Sequence, residues 1–216
     1  MIHIERFMVN MIQENCYIVN DETKEAVIID DGAYYPEENK AIENYIRKND
    51  LKPVLLLNTH AHFDHILGNH AIYETFGLKA RFSSKDSYLY DSISEQMNSI
   101  MGCNLSKAQD APAGDFIKEG DILTFGNNRK IEVISTPGHT PGGLCFYMEE
   151  EKLLFSGDSL FQGSIGRTDF PGGSEKDLIQ SLKEKIITLP DDVQVLTGHG
   201  PATTIDAEKY QNIYLR

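Results

Sequence analysis

The chain is poor in positive charge. Its 216 residues carry 20 lysines and arginines against 33 aspartates and glutamates, a formal charge of −13 at neutral pH. A surface of that sign repels phosphate backbones and anionic lipid headgroups, so nucleic acid and membrane surfaces are poor partners. Cysteine is also scarce. There are three, Cys16, Cys103 and Cys145, with no C-x-x-C pair. An odd count at wide spacing argues against a disulfide framework and fits reduced thiols in a cytoplasmic protein. Cys16 and Cys145 lie in apolar, strand-like contexts and read as small buried hydrophobes. Cys103, in a polar stretch, reads as exposed. Long apolar runs are missing. The longest, Val54-Leu55-Leu56-Leu57, is far too short to span a bilayer, and Met1–Phe7 lacks the apolar core of a secretory signal. The chain has no G-x-x-x-x-G-K-[ST] phosphate loop, no H-E-x-x-H and no G-x-S-x-G elbow. Repeats and low-complexity tracts are absent as well.

What is present has the length and composition of one domain spanning 1–216, and 40% hydrophobic residues are enough for a sizeable core. Short runs rich in β-branched and aromatic residues predict strands at Ile2–Val9, Cys16–Val19, Ala26–Asp30, Val54–Asn58, Lys79–Phe82, Ile131–Ser135, Leu144–Met148, Leu153–Ser156 and Val193–Thr197. Helical spacing marks Glu37–Asn49, Asp86–Met101, Ser174–Ile187 and Asp206–Leu215. Gly102–Gly114 has no clear period and reads as a long surface loop, and Glu149–Lys152 as a solvated hairpin turn. Mixed strands and helices in one domain indicate a layered α/β architecture.

Four short polar segments stand out: Thr59-His60-Ala61-His62-Phe63-Asp64-His65, Pro137-Gly138-His139, Gly157-Asp158 and Gly198-His199-Gly200. They hold five of the seven histidines. Each follows the C-terminal end of a predicted strand, where open α/β folds collect binding residues. Neutral imidazole and carboxylate oxygen are good ligands for zinc and similar first-row ions. His60 and His62, two apart on a loop, can reach one ion, while Asp64 and His65 can turn toward a second. Asp158 is the natural candidate to bridge them. Three ligands per ion leave coordination positions open, as catalysis requires. The adjacent glycines allow close backbone approach, and Pro137 and Pro141 stiffen the loop that presents His139. His3 and His70 stand apart and read as ordinary strand and helix residues. Asp30, at a strand end, is either a partner to a ligand histidine or a turn-capping residue.

The Thr-His-x-His-x-Asp-His segment at 59–65, with His139, Asp158 and His199 following in order, resembles the metallo-β-lactamase-fold hydrolases along essentially the whole chain. The resemblance implies a four-layer αββα sandwich with metals at one edge of the sheets. It also implies an assignment: His60, His62 and His139 on the first ion, Asp64, His65 and His199 on the second, Asp158 between them. Asn15-Cys16-Tyr17, Thr136–Gly143, Ser156–Phe161, Gly166-Arg167-Thr168-Asp169 and Gly198–Pro201 look most like the short, single-domain glyoxalase II group. The longer enzymes of that group add a C-terminal helical segment for glutathione that has no counterpart here. The implied activity is hydrolysis of a small acyl-thiol by water activated on two divalent ions, zinc first and iron or manganese as alternatives, with Asp64 orienting the hydroxide. Arg167 would bind an anionic substrate group or pair with Asp169. Persulfide dioxygenases share the Gly-Arg-Thr-Asp stretch and imply a different use of the pocket, with one iron on His60, His139 and Asp158.

Overall fold

The computed structural model describes residues 1–102 and 110–216. Cys103 and most of the 102–114 loop lie outside the described residues. The first half of the chain builds a sheet in the order β1 (His3–Val9), β2 (Glu14–Asn20), β3 (Glu25–Ile29), β4 (Lys52–Leu57) and β5 (Ala80–Arg81). Its first three strands meander antiparallel, and β4 and β5 join in parallel. Parallel pairing requires a crossover. Helix α1 (Pro36–Lys48) supplies it between β3 and β4, and α2 (Phe63–Ile66) and α3 (Asn69–Phe76) supply it between β4 and β5.

A segment of short helices follows: a 3₁₀ turn at Ser84–Asp86, then α4 (Ser87–Tyr90) and α5 (Ile93–Met101). One continuous helix over Asp86–Met101 was the expectation from sequence. The chain breaks at Asp91–Ser92 because the Ser92 hydroxyl donates to the carbonyls of Tyr88 and Leu89, closing α4 before α5 begins.

The second sheet runs β13–β12–β9–β8–β7–β6, built from β6 (Ile122–Phe125), β7 (Arg129–Ser135), β8 (Leu144–Met148), β9 (Leu153–Gly157), β12 (Gln194–Thr197) and β13 (Thr203–Thr204). A two-stranded ribbon, β10 (Leu160–Phe161) and β11 (Ser164–Ile165), projects beside it. The expected helix at Ser174–Ile187 is α6 (Glu175–Ser181), continued by a wider π turn at Leu182–Ile186. Helix α7 (Ile205–Gln211) is shorter than the Asp206–Leu215 expected. Strands β6, β10, β11 and β13 were not expected. They are two to four residues long, too short for an alternating pattern to register.

Side-chain alternation along the strands defines the layers. On β2, Cys16 and Ile18 face one cluster with Ile42, Ile46 and Phe63 of the helices, while Tyr17 and Val19 face the other way. That second cluster also takes Val133, Phe146 and Phe155 from the second sheet, so it fills the space between the sheets. The opposite faces of β8, β9 and β12 present Cys145, Tyr147, Leu154 and Val195 to Leu178, Leu182 and Ile205. The result is helix, sheet, sheet, helix: the αββα order implied by the resemblance. Among the described residues no helix is long and apolar enough to cross a membrane.

The sheets are tied where β2 meets the end of β12. Asn15 N–H donates to the Gly198 carbonyl at 2.8 Å, and the Asn15 side chain donates to Thr197 and Gly200 carbonyls. The Tyr17 hydroxyl donates to the Thr197 carbonyl at 2.8 Å. These bonds bring the segment carrying His199 against the first half of the chain.

Candidate metal centre

All four polar segments leave strand ends at the same edge of the sandwich. His60 and His62 follow β4, His139 follows β7, Asp158 follows β9 and His199 follows β12. Asp64 and His65 sit on α2, one turn beyond His62. Close approach of these loops depends on Gly157, whose φ is +49° and where an added Cβ would stand 2.2 Å from Thr59 Oγ1.

The seven residues named from sequence come together. Ligand atoms of His60, His62 and His139 lie within 4.8 Å of one another, as do those of Asp64, His65 and His199. Asp158 spans the two sets. Its Oδ2 is 3.5 Å from His139 Nε2, and its Oδ1 is 3.3 Å from His65 Nε2 and 3.7 Å from His199 Nε2. His3 and His70 are elsewhere: His3 is exposed on β1, and His70, on α3, has its Nδ1 2.9 Å from the Asp110 carbonyl.

The ring nitrogens facing away from this space are held. His139 Nδ1 lies 2.6 Å from the Arg167 carbonyl, His199 Nδ1 3.3 Å from that of Gln13, and His65 Nδ1 3.1 Å from Asp30 Oδ2. The carbonyl acceptors of His139 and His199 favour a proton on the outward nitrogen, which leaves the inward nitrogen as the one to face an ion. Asp30 is therefore the histidine partner of the two alternatives read from sequence. It also accepts from the Thr59 N–H and hydroxyl, both at 2.7 Å.

Three buried atoms aimed into the shared space, His60 Nε2, His65 Nε2 and Asp158 Oδ1, have no hydrogen-bond partner. Each such atom costs about 1–3 kcal/mol unless something satisfies it. Ions held at the two sets, with Asp158 between them, would satisfy all three, so the donor set fits divalent ions. The imidazoles divide: in spite of burial, the facing Asp64 and Asp158 raise His65 and His199 above their ordinary pKa, so an ion bound there would displace their protons. Burial, with the neighbouring imidazoles, drives His60 well below its ordinary pKa and brings His62 to about 4, leaving both neutral as ligation requires. Burial alone would raise Asp64 and Asp158, but the facing His65 and His199 outweigh it and hold both carboxyls below the usual range.

Several supporting residues carry no sequence signal of their own. Asp86, fully buried, accepts from the Ala61 and Gly142 N–H groups and from the Thr140 hydroxyl, locking the loop of His60 and His62 to the loop of His139. Gln96 on α5 accepts from Phe63 N–H and donates to the Ala61 carbonyl. Glu14 is buried behind His65, 3.8 Å from its Nδ1, and burial raises its carboxyl well above the ordinary value. Arg167 pairs with Asp169 through two 2.7 Å bonds and lies 4.1 Å from the Phe170 ring centroid.

Comparison with known proteins agrees with this geometry. The family model described as the metallo-beta-lactamase superfamily matches residues 9–199. A hydroxyacylglutathione hydrolase, GloC, of Haemophilus influenzae is 39% identical over 215 residues, covering 99% of this chain and 98% of that protein. The crystal structure of the BLEG-1 B3 metallo-beta-lactamase superposes with a TM-score of 0.88 at 36% identity, covering 99% of each chain. That of TTHA1623 in a di-iron-bound form gives 0.85 at 35% identity, covering 98% of this chain and all of the other. With a family match over most of its length, the αββα layering and the histidine–aspartate edge in common, this chain belongs to the metallo-β-lactamase superfamily.

Proposed function

We propose that the chain hydrolyses a small thioester on two divalent ions, with zinc as the first expectation. The observation that carries this reading is the Asp158 carboxylate, which turns one oxygen toward each histidine set. His60, His62 and His139 would hold one ion, and Asp64, His65 and His199 the other. Divalent ions bound there would acidify a coordinated water and polarise the substrate carbonyl. Asp64, held ionised, would share the second ion with His65 and His199 and accept a hydrogen bond from the attacking water, so aiming it. The outward hydrogen bonds of His139 and His199, and the Asp30 carboxylate 3.1 Å from His65 Nδ1, keep these rings from turning as substrate enters. A thiolate leaves without a strong general acid, since thiol pKa values are about 8.5. The likeness to a hydroxyacylglutathione hydrolase supports the thioester class.

The test is metal analysis of the purified protein with substrate assays in parallel. Two ions per chain, release of thiol from an S-acyl substrate and no oxygen uptake support the reading. One iron per chain with oxygen consumed on a persulfide would overturn it. Preferential hydrolysis of a β-lactam, suggested as a control by the BLEG-1 likeness, would do the same.

A further inference from the structure

We propose that a cavity beside His62 receives the acyl chain of the substrate and selects short apolar acyl groups; this rests on the thioester reading. The cavity measures about 210 Å³ and borders His62 directly. Its apolar walls are Tyr88 and Leu89 of α4, Ile100 of α5, and Phe170 with Pro171 from the loop that also carries Arg167. The two sides are joined at the top, where the Tyr88 hydroxyl donates to the Pro171 carbonyl at 3.3 Å. Phe170 stands edge-on to the His62 ring, centroids 5.4 Å apart. Gln96 fixes α5 to the backbone around His62, so the cavity keeps its position relative to the proposed reaction centre.

The lining decides which end of a thioester enters. Thiol carriers that bear carboxylates or phosphates need cations. Among the described residues lining this cavity the one charged group is Glu95, which repels them. An uncharged hydrocarbon suits walls of aliphatic and aromatic carbon. At about 30 Å³ per water-sized group, the space takes a chain of roughly six carbons or a phenyl ring. The charged carrier then lies outside, toward solvent.

The test uses metal-loaded protein and N-acetylcysteamine thioesters with acyl chains from acetyl to hexanoyl, so that only the acyl group varies. We expect kcat/KM to rise by roughly fourfold per methylene, the transfer value for a buried CH₂. Ile100→Asp should lower the hexanoyl-to-acetyl ratio by at least about tenfold. If that variant fails to fold, as judged by circular dichroism and metal content, Ile100→Ala should shift the same ratio in the same direction. A flat acyl profile, or a ratio unchanged in a folded variant, overturns the proposal. If no thioester is hydrolysed, the parent reading falls and calorimetry decides the cavity separately. Hexanoate binding tighter than acetate, and weakened in the Ile100 variant, upholds a site for apolar chains. Equal binding of the two acids overturns it.

Discussion

His65 turns its Nδ1 to the Asp30 carboxylate, 3.1 Å away, and its Nε2 to the space shared by Asp64 and Asp158. One imidazole thus links a strand-end acid to the proposed second metal position. Asp30→Asn keeps the size and one of the two acceptors for Thr59 but removes the charge that orients the ring. Loss of such an outer partner typically costs 10–100-fold in metal affinity or activity, and about that loss is expected here at the second ion. Chelator competition, reading the two ions separately, checks it; unchanged affinity would mean that packing alone sets the ring.

Asp158→Ala removes the group lying between both histidine sets. Occupancy of the second ion and hydrolysis should each drop by orders of magnitude. Metal stoichiometry and steady-state rates measure this, and near-wild-type values would remove the bridging role.

Asp86→Ala leaves two buried N–H groups and a hydroxyl without their acceptor. At about 1–3 kcal/mol for each unsatisfied buried group, a destabilisation of about 3 kcal/mol or more is expected, read from urea unfolding. Affinity at the His60–His62–His139 set should fall with it, because the two loops that meet there lose their common anchor.

Asp31 governs a pH dependence. The carboxyl is fully buried, its Oδ2 has no partner, and burial lifts its pKa from 3.8 to about 7. The folded state therefore keeps a proton that the unfolded chain releases near pH 4. Stability is greatest below that pH with respect to this group, falls as pH rises toward 7, and is level above it. Asp31→Asn does not titrate. Between pH 4 and 7 the balance between wild type and variant should tilt toward the variant by up to about 4 kcal/mol. Parallel unfolding curves across that range test it; a constant difference would show that Asp31 is ionised when folded.

The ligand positions are legible in the chain because histidine and aspartate are few and stand in glycine-flanked clusters after strands. From the residues alone only a layered α/β fold is legible, and the four-layer order is what the resemblance implies; Cys16 to Val19 is apolar at every position, and only the structure shows that its two faces meet different clusters. What supports the cluster is harder to see. Asp86 and Gln96 lie in a helical stretch where polar residues normally face water, and only the tertiary fold turns them inward. The single long helix expected there failed on Ser92, whose hydroxyl competes for backbone carbonyls in a way that periodicity does not register. Arg167 shows a third limit: its backbone carbonyl, which any residue could supply, is what holds His139.

The bonds from Asn15 and Tyr17 to Thr197, Gly198 and Gly200 join positions about 180 residues apart. Pairings so distant in sequence form late, after nearer contacts have reduced the entropy of closing the loop. During synthesis the first sheet and the His60–His62 loop leave the ribosome long before His199 exists. A nascent chain can therefore present part of a binding cluster to passing ions, but the second set closes only when the last strands dock against β2. Assembly of the complete centre thus doubles as a report that synthesis has passed β12 and β13.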